Sequence, residues 1–407
     1  MAFKKNTTII VNNNTSIFHT SFESAAANIQ STAVELTANN FTGFKLGYSV
    51  GVGSGRIVGG ARGNYDSACI FLSNNFLSAT KPSEAVGASS YGNTIAINCG
   101  RVVVGAPVAD LTGNDLGAVY LYDLNGNYVN AATEFTSGDL HYFGSSVAVG
   151  SGRIVIGAAN SEAADPGGGT FSGIAYIYSL NGTILRDLIP SGLQHLEHAG
   201  YSVSISDGIV AVGSPDYYSS AASQGRVSLF TVRGDSILEL IAYDAASGDR
   251  FGTSVAVGCG RIVVGAPGDD DNGADSGSVY VYQYNGTLVG KIKPSDGAAG
   301  DQFGYSVSVG SGLIFIGAPF DDISATSNAG SSYIFNLDGT QIAKLTHPTP
   351  ASEDYFGYSV SIKEGRAIAG VPNRDRAGNT DNGSIISFKL PETHDIYFEK
   401  VLDTFRY

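Results

Sequence analysis

The sequence predicts an all-β chain, a closed ring of seven four-stranded antiparallel sheets. Three observations predict it. A short block of an apolar residue, Gly, any residue and a residue that is usually Ser recurs with its glycine at Gly47, Gly92, Gly144, Gly200, Gly252, Gly304 and Gly357. The mean spacing of about 52 residues falls among repeat architectures. A second glycine follows each of these thirteen residues later, at Gly60, Gly105, Gly157, Gly213, Gly265, Gly317 and Gly370. Finally, the turns Asn125-Gly126, Asn181-Gly182, Asn285-Gly286 and Asp338-Gly339 are of the kind that reverses one strand into the next.

Each repeat reads as four short strands. The first two meet at a tight hairpin whose glycine recurs in every copy: Gly55, Gly100, Gly152, Gly208, Gly260, Gly312 and Gly365. The second strand is a continuous apolar run, as in Val102 to Pro107 and Ile262 to Pro267, so both its faces must be buried. A third strand follows, as in Ala118 to Tyr122 and Val279 to Tyr282, then the Asn-Gly turn and a fourth strand such as Leu288 to Ile292. Seven such sheets arranged radially form a seven-bladed β-propeller, which leaves only short, protected edges. The seventh repeat reaches its third strand at Ser384 to Phe388, but Pro391 stands where the turn should be. Ala33 to Leu36 precede the first repeat as a fourth strand would. This N-terminal strand is expected to complete the last blade and close the ring.

The chain has 407 residues, and the repeat overrides the domain count that length alone suggests. We divide it into an N-terminal arm (1–29), the propeller (30–390) and a C-terminal arm (391–407). The arms are either frayed ends or segments that dock on a neighbouring subunit, since exposed aromatics such as Tyr397, Phe398, Phe405 and Tyr407 find partners. Lys and Arg number 23 against 37 Asp and Glu, a net charge of -14. That balance argues against nucleic acid, whose phosphates require clustered cations. No segment approaches the ~18 apolar residues of a membrane helix, so membrane insertion is not expected. Cys69, Cys99 and Cys259 are too few for a disulfide framework. The only apolar run near the N-terminus is Ile9 to Val11, short of a secretory core. The expected location is therefore a virus particle, with the cell surface or an unconventional export route as the alternative.

The blocks Phe251-Gly252 with Gly265 to Pro267, and Phe303-Gly304 with Gly317 to Pro319, resemble the FG-GAP repeat family across residues ~30–390. The resemblance implies an integrin-α-like propeller that binds proteins or glycans and is rarely a catalyst. Integrin-type calcium loops would lie between the first and second strands. That interval is short here, as in Ala256 to Ile262, and carries only isolated acids such as Asp207 and Glu364. Calcium requires several oxygen ligands, so those sites are not carried over; no cofactor is expected, with calcium at the acidic rim loops as the alternative.

Acidic residues gather instead after the second glycine block, on loops that share one rim. Asp269, Asp270, Asp271 and Asp275 form one group, and Asp321 with Asp322 another; Asp110 with Asp115, and Asp375 with Asp381, are sparser. They read either as a ligand or cation rim, with Asp269, Asp271 and Asp275 as the candidate metal ligands, or as carboxylates that cap their own loops. Tyr217 and Tyr218 lie in an inter-strand loop and are candidates for partner contact. Gly47 to Gly51 matches the nucleophile-elbow pattern G-x-S-x-G, but the serine recurs at 146, 202, 254, 306 and 359 and no helix follows it, so it reads as a strand position and no catalytic residue is assigned. His195 and His198 read as an exposed pair on a loop between blades.

Two functions compete at this point. One is a non-catalytic structural or receptor-contacting component of a virus particle, a phage in particular, whose partners are other virion or surface proteins or a host receptor. The other is a glycan-binding lectin or adhesin with equal sites around the ring, which gain avidity from repetition. The rim loops share little beyond acidity, which favours one asymmetric protein contact.

Overall fold

A computed structural model describes residues 22–38, 43–63, 66–72, 75–81, 90–109, 116–133, 142–161, 172–219, 221–375 and 380–391. Among them lie seven antiparallel sheets of four strands each. The fifth blade shows the pattern: Ser254–Gly258, Arg261–Ala266, Ser278–Gln283 and Leu288–Ile292, paired in chain order. First strands of neighbouring blades touch all the way round, including Leu46–Gly53 against Val360–Lys363. They therefore line the axis, and the fourth strands form the solvated outside.

The hairpin glycine does what was expected of it. Cys259 and Gly260 have φ of 52° and 74°, the paired positive values of the turn that follows the right-handed twist of its strands. The second strand is buried on both faces because it is shared between two interfaces. Ile262 and Val264 pack toward the fourth blade with Leu229 and Phe251, while Val263 packs toward the sixth with Ile314 and Ile316.

The two glycine blocks meet between blades. Ser49, Thr94, Ser146, Ser202, Ser254, Ser306 and Ser359 each donate a hydroxyl hydrogen bond of 2.7–2.9 Å to the carbonyl of Gly92, Gly144, Gly200, Gly252, Gly304, Gly357 and Gly47 respectively. Each blade thus grips the next, and Ser359 closes the circle onto the first. Opposite each hydroxyl residue sits the second-block glycine. A Cβ on Gly265 would stand 2.0 Å from the Gly304 carbonyl oxygen and 2.3 Å from Ser254 Oγ. The thirteen-residue spacing is the hairpin length that brings the two groups level across the strands. Ser49 is consumed by this belt, which disposes of the elbow pattern.

Ring closure follows expectation. Val34, Glu35 and Leu36 pair antiparallel with Ser387, Ile386 and Ile385. Thr32 Oγ1 accepts from the Lys389 amide at 2.8 Å. The arm expected at 1–29 is partly structured: Phe22–Ser31 is an α-helix lying on the outer strand of the sixth blade. Ile29 is buried there, and the Gln30 amide donates to the Thr346 carbonyl and accepts from its N–H. One helix thus joins an otherwise all-β fold. Residues 1–21 and 392–407 lie outside the described residues, as do His19, His141 and His394.

Two outcomes are expected. Deleting residues 30–38 lowers Tm by many degrees in a thermal melt, and an unchanged melt would refute the closure. Ser254→Ala costs about 1–2 kcal/mol for one orphaned carbonyl. Gly265→Ala costs more, because the atom it strikes is backbone; chemical unfolding ranks the two, and equal costs would argue against the close approach.

Candidate functional site

The rim carboxylates divide into three kinds. The first caps loops. Asp270 Oδ1 accepts from the Asp275 amide at 2.9 Å, Asp322 Oδ1 from Asn328 at 2.8 Å and Asp375 Oδ1 from Asp381 at 2.9 Å. This is the loop-capping alternative raised from the sequence. Asp110 and Asp115 lie outside the described residues.

The second kind is buried and neutralised by lysine. Asp269, buried at 3% exposure, sits with Asp244 and Asp271 around the Lys291 ammonium. Nζ lies 2.9 Å from Asp244, 2.7 Å from Asp269 and 2.9 Å from Asp271. The Tyr280 hydroxyl donates to Asp244 at 2.6 Å and to Asp269 at 3.0 Å. Burial opposes the ammonium's charge, but hydrogen bonds to the three carboxylates overcome it and its pKa is raised. Asp271 is held below the usual carboxylate range by Lys291 and Lys293. The sixth blade repeats the arrangement: Lys344 Nζ lies 2.7 Å from Asp296 and 2.6 Å from Asp321, with the Tyr333 hydroxyl donating to both. Among the described residues the one grouping of three potential metal ligands is Asp244, Asp269 and Asp271. The structure therefore places Asp269 and Asp271 together, with Asp244 as the third member; Asp275 is exposed and meets its loop through its backbone, the N–H donating to Asp270 Oδ1 and the carbonyl accepting from the Gln302 amide.

The third kind precedes the Phe-Gly block by two residues or so. Glu197, Asp249, Asp301 and Asp354 are all buried, and each accepts an amide hydrogen bond from three residues back, at 2.7–2.9 Å. Glu197 is paired with Arg226 at 2.7 Å and Asp354 with Arg374 at 3.0 Å. Among the described residues Asp301 has no such ion pair, Lys344 acting on it only from a distance. It lines a depression of about 320 Å³ with Asp296, Phe320, Asp321, Asp322 and Lys344. Burial, opposed by the Ala298 amide and reinforced by Asp321, raises its pKa to about 6.

A fourth feature was not foreseen. Tyr48, Tyr201, Tyr305 and Tyr358 occupy the position just before the belt hydroxyl in the first, fourth, sixth and seventh blades, and so stand at the mouth of the axis. Ring centroids lie 5.0 Å apart for Tyr48 with Tyr358 and for Tyr305 with Tyr358. Arg62 lies over the Tyr48 ring at 5.1 Å and donates to its hydroxyl at 2.7 Å. Arg250 lies over Tyr201 at 6.0 Å and 3.6 Å from Asp216, which also meets His198 Nδ1 at 2.8 Å. Tyr201 is 42% exposed. Repetition of Gly-Tyr-Ser at 47–49, 200–202, 304–306 and 357–359 is the signal that could have found it. Nearby in sequence to Asp216, Tyr217 stacks under the Arg226 guanidinium at 4.3 Å and Tyr218 is exposed.

The model of the FG-GAP repeat matches three segments, residues 237–282, 287–335 and 340–386. These three segments are FG-GAP repeats. Each matched segment opens in or just before the fourth strand of one blade and ends in the third strand of the next. Repeat and blade are thus one strand out of phase, which is why the N-terminal strand must finish the last blade. No curated protein matches the sequence. Among solved structures, the computationally designed Ika8 protein superposes with a TM-score of 0.50 at 14% identity, covering 87% of this chain and 99% of that one. At that identity the likeness is one of fold alone. Among the described residues of this propeller, no helix is long and apolar enough to cross a membrane.

The Asp301 carboxyl keeps its proton in the fold at pH values where the unfolded chain has lost it. Its contribution to stability is complete below about pH 4 and is lost as pH rises through about 6. Asp301→Asn is expected to flatten that part of the fall in Tm between about pH 4 and about pH 7. A slope identical to wild type would refute the assignment.

Proposed function

We propose that this FG-GAP propeller is a non-catalytic binding and assembly component, working in a virus particle and holding one protein partner on the face that carries the axial tyrosines. The observation that carries the reading is the convergence of Tyr48, Tyr201, Tyr305 and Tyr358 with Arg62 and Arg250. Tyrosine and arginine are the residues enriched where proteins meet, because each offers a large contact area with a polar end. The patch is single and asymmetric: the seven equivalent positions are Tyr48, Asn93, Ser145, Tyr201, Thr253, Tyr305 and Tyr358. A lectin with equal sites in every blade would call for like residues at like positions. The rim offers instead Arg226 with Glu197, a lysine among three aspartates, a lysine between two, and Arg374 with Asp354.

The test is mass spectrometry of density-gradient fractions from the source. The chain is expected to co-sediment with particles at fixed stoichiometry; a freely soluble chain would overturn the virion role. The double variant Tyr201→Ser with Arg62→Glu, which leaves the hydroxyl belt intact, is expected to weaken particle association by roughly tenfold or more. Undiminished association would move the contact elsewhere.

A further inference from the structure

We propose that the depression beside Asp301 is a socket for an arginine side chain of the protein partner. That the arginine comes from a protein rests on the contact reading above; the socket itself rests on three observations. The first is a buried carboxylate with an open acceptor. Asp301 is 5% exposed and lines the depression. Its Oδ2 accepts from the Ala298 amide at 2.7 Å, and among the described residues its Oδ1 accepts no hydrogen bond. The other acids there are satisfied, Asp296 and Asp321 by Lys344 and Tyr333, and Asp322 by the Asn328 amide. A carboxylate withdrawn from water without its donors is costly, so Oδ1 is the atom that calls for a ligand.

The second is what fills the matching place elsewhere in the ring. Glu197 and Asp354 also stand two residues before the residue that precedes the first-block glycine. There the chain supplies its own arginine, Arg226 Nη2 at 2.7 Å from Glu197 and Arg374 Nη1 at 3.0 Å from Asp354. Arg226 opens a third strand, and Arg374 lies four residues after a second-block glycine. In the sixth blade those positions hold Ser331 and Asp321, neither of which brings a cation.

The third is the space itself. The fifth blade also lacks an arginine at Asp249, but its loops close. Gly268 lies so near the Gly248 carbonyl that a Cβ would stand 2.1 Å from the oxygen, and its amide donates to the Asp249 carbonyl at 3.3 Å. The sixth blade has Phe320 at that position, and its Cβ forbids the same approach. The loops stand open beside it, around a space of about 320 Å³. Charge and shape then choose the occupant. Asp296, Asp301, Asp321 and Asp322 face Lys344 alone, so a cation is favoured. A guanidinium forks onto a carboxylate and stacks on an aromatic ring, as an ammonium does not. Phe320 offers that ring, and it packs 5.9 Å from Tyr305, so the depression adjoins the tyrosine face assigned to the partner.

The probe is N-acetyl-arginine amide, titrated against the full chain by saturation-transfer NMR, with N-acetyl-citrulline amide as its uncharged isostere. The arginine compound is expected to bind saturably and the citrulline compound roughly tenfold or more weakly. Asp301→Asn, which resembles the protonated carboxyl, is expected to cost the arginine compound roughly tenfold. Wild-type binding is expected to strengthen about tenfold from about pH 5 to about pH 7, as Asp301 ionises at about 6, and to stay flat in the variant. Asp296, Asp321, Asp322 and Lys344, the other charged groups around it, are common to both. No saturable binding, equal binding of the two compounds, or binding undiminished in Asp301→Asn overturns the socket. Should that variant not fold, Phe320→Ala keeps the carboxylate and removes the ring; severalfold weaker binding is expected, and undiminished binding overturns the socket as well. In particle fractions Asp301→Asn is expected to associate more weakly than wild type. Undiminished association, with the titration as expected, overturns the partner as the source of the arginine. If the chain proves free of particles, the partner reading falls by itself and the titration still decides the socket.

Discussion

The structure depends on a close approach of backbone to backbone between neighbouring blades. Where a second-block glycine lacks a Cβ, the carbonyl of the next blade's Phe-Gly glycine can enter and receive a serine or threonine hydroxyl. A net hydrogen bond is a modest contribution in isolation. Its importance here lies in position. The seven bonds form a closed circuit around the axis, so the spacing and rotation between blades are fixed at every junction by the same short contact. Apolar side chains fill the wedge outside this belt, and their two-sided burial requires the second strand to be apolar throughout.

That constraint explains why the fold was so legible. A glycine needed for space, a glycine needed for a turn and a hydroxyl needed for a bond cannot be exchanged freely, and each leaves a letter at a fixed spacing. The outer strand carries no such demand; Tyr128, Ile184 and Leu288 face solvent, and its pattern was correspondingly the weakest. The helix at Phe22–Ser31 was missed because ten residues are too few to declare themselves alone. Its stability comes from Ile29 and Gln30 meeting the sixth blade.

The candidate sites were less legible, for a different reason. Asp269 and Asp321 look in sequence like any acids of a solvated loop, but they are buried, and their counter-charge lies far along the chain at Lys291 and Lys344. The third component, Asp244 or Asp296, comes from the preceding loop between blades. Only the fold assembles these three. A clue was present in the paired spacing of Asp244 with Asp249 and Asp296 with Asp301, but spacing alone does not say which acid is buried. The tyrosines of the axial mouth were hidden differently, as unremarked companions of a serine that drew attention to itself.

The one-strand offset between repeat and blade also governs when the molecule can be completed. Each of the first six blades can form as its own four strands leave the ribosome in order. The last cannot: its outer strand, Val34–Leu36, is made before the first blade, and its partner, Ser384–Lys389, only after the sixth. Until it does, both flanks of the arc present uncovered apolar sheet faces and the last blade an unpaired edge, the condition in which nascent β-proteins join the wrong neighbour. A pairing some 350 residues apart is also the kind whose loop-closure entropy must be met late and all at once. The clasp that makes the finished ring durable is therefore the step at which its assembly is most exposed.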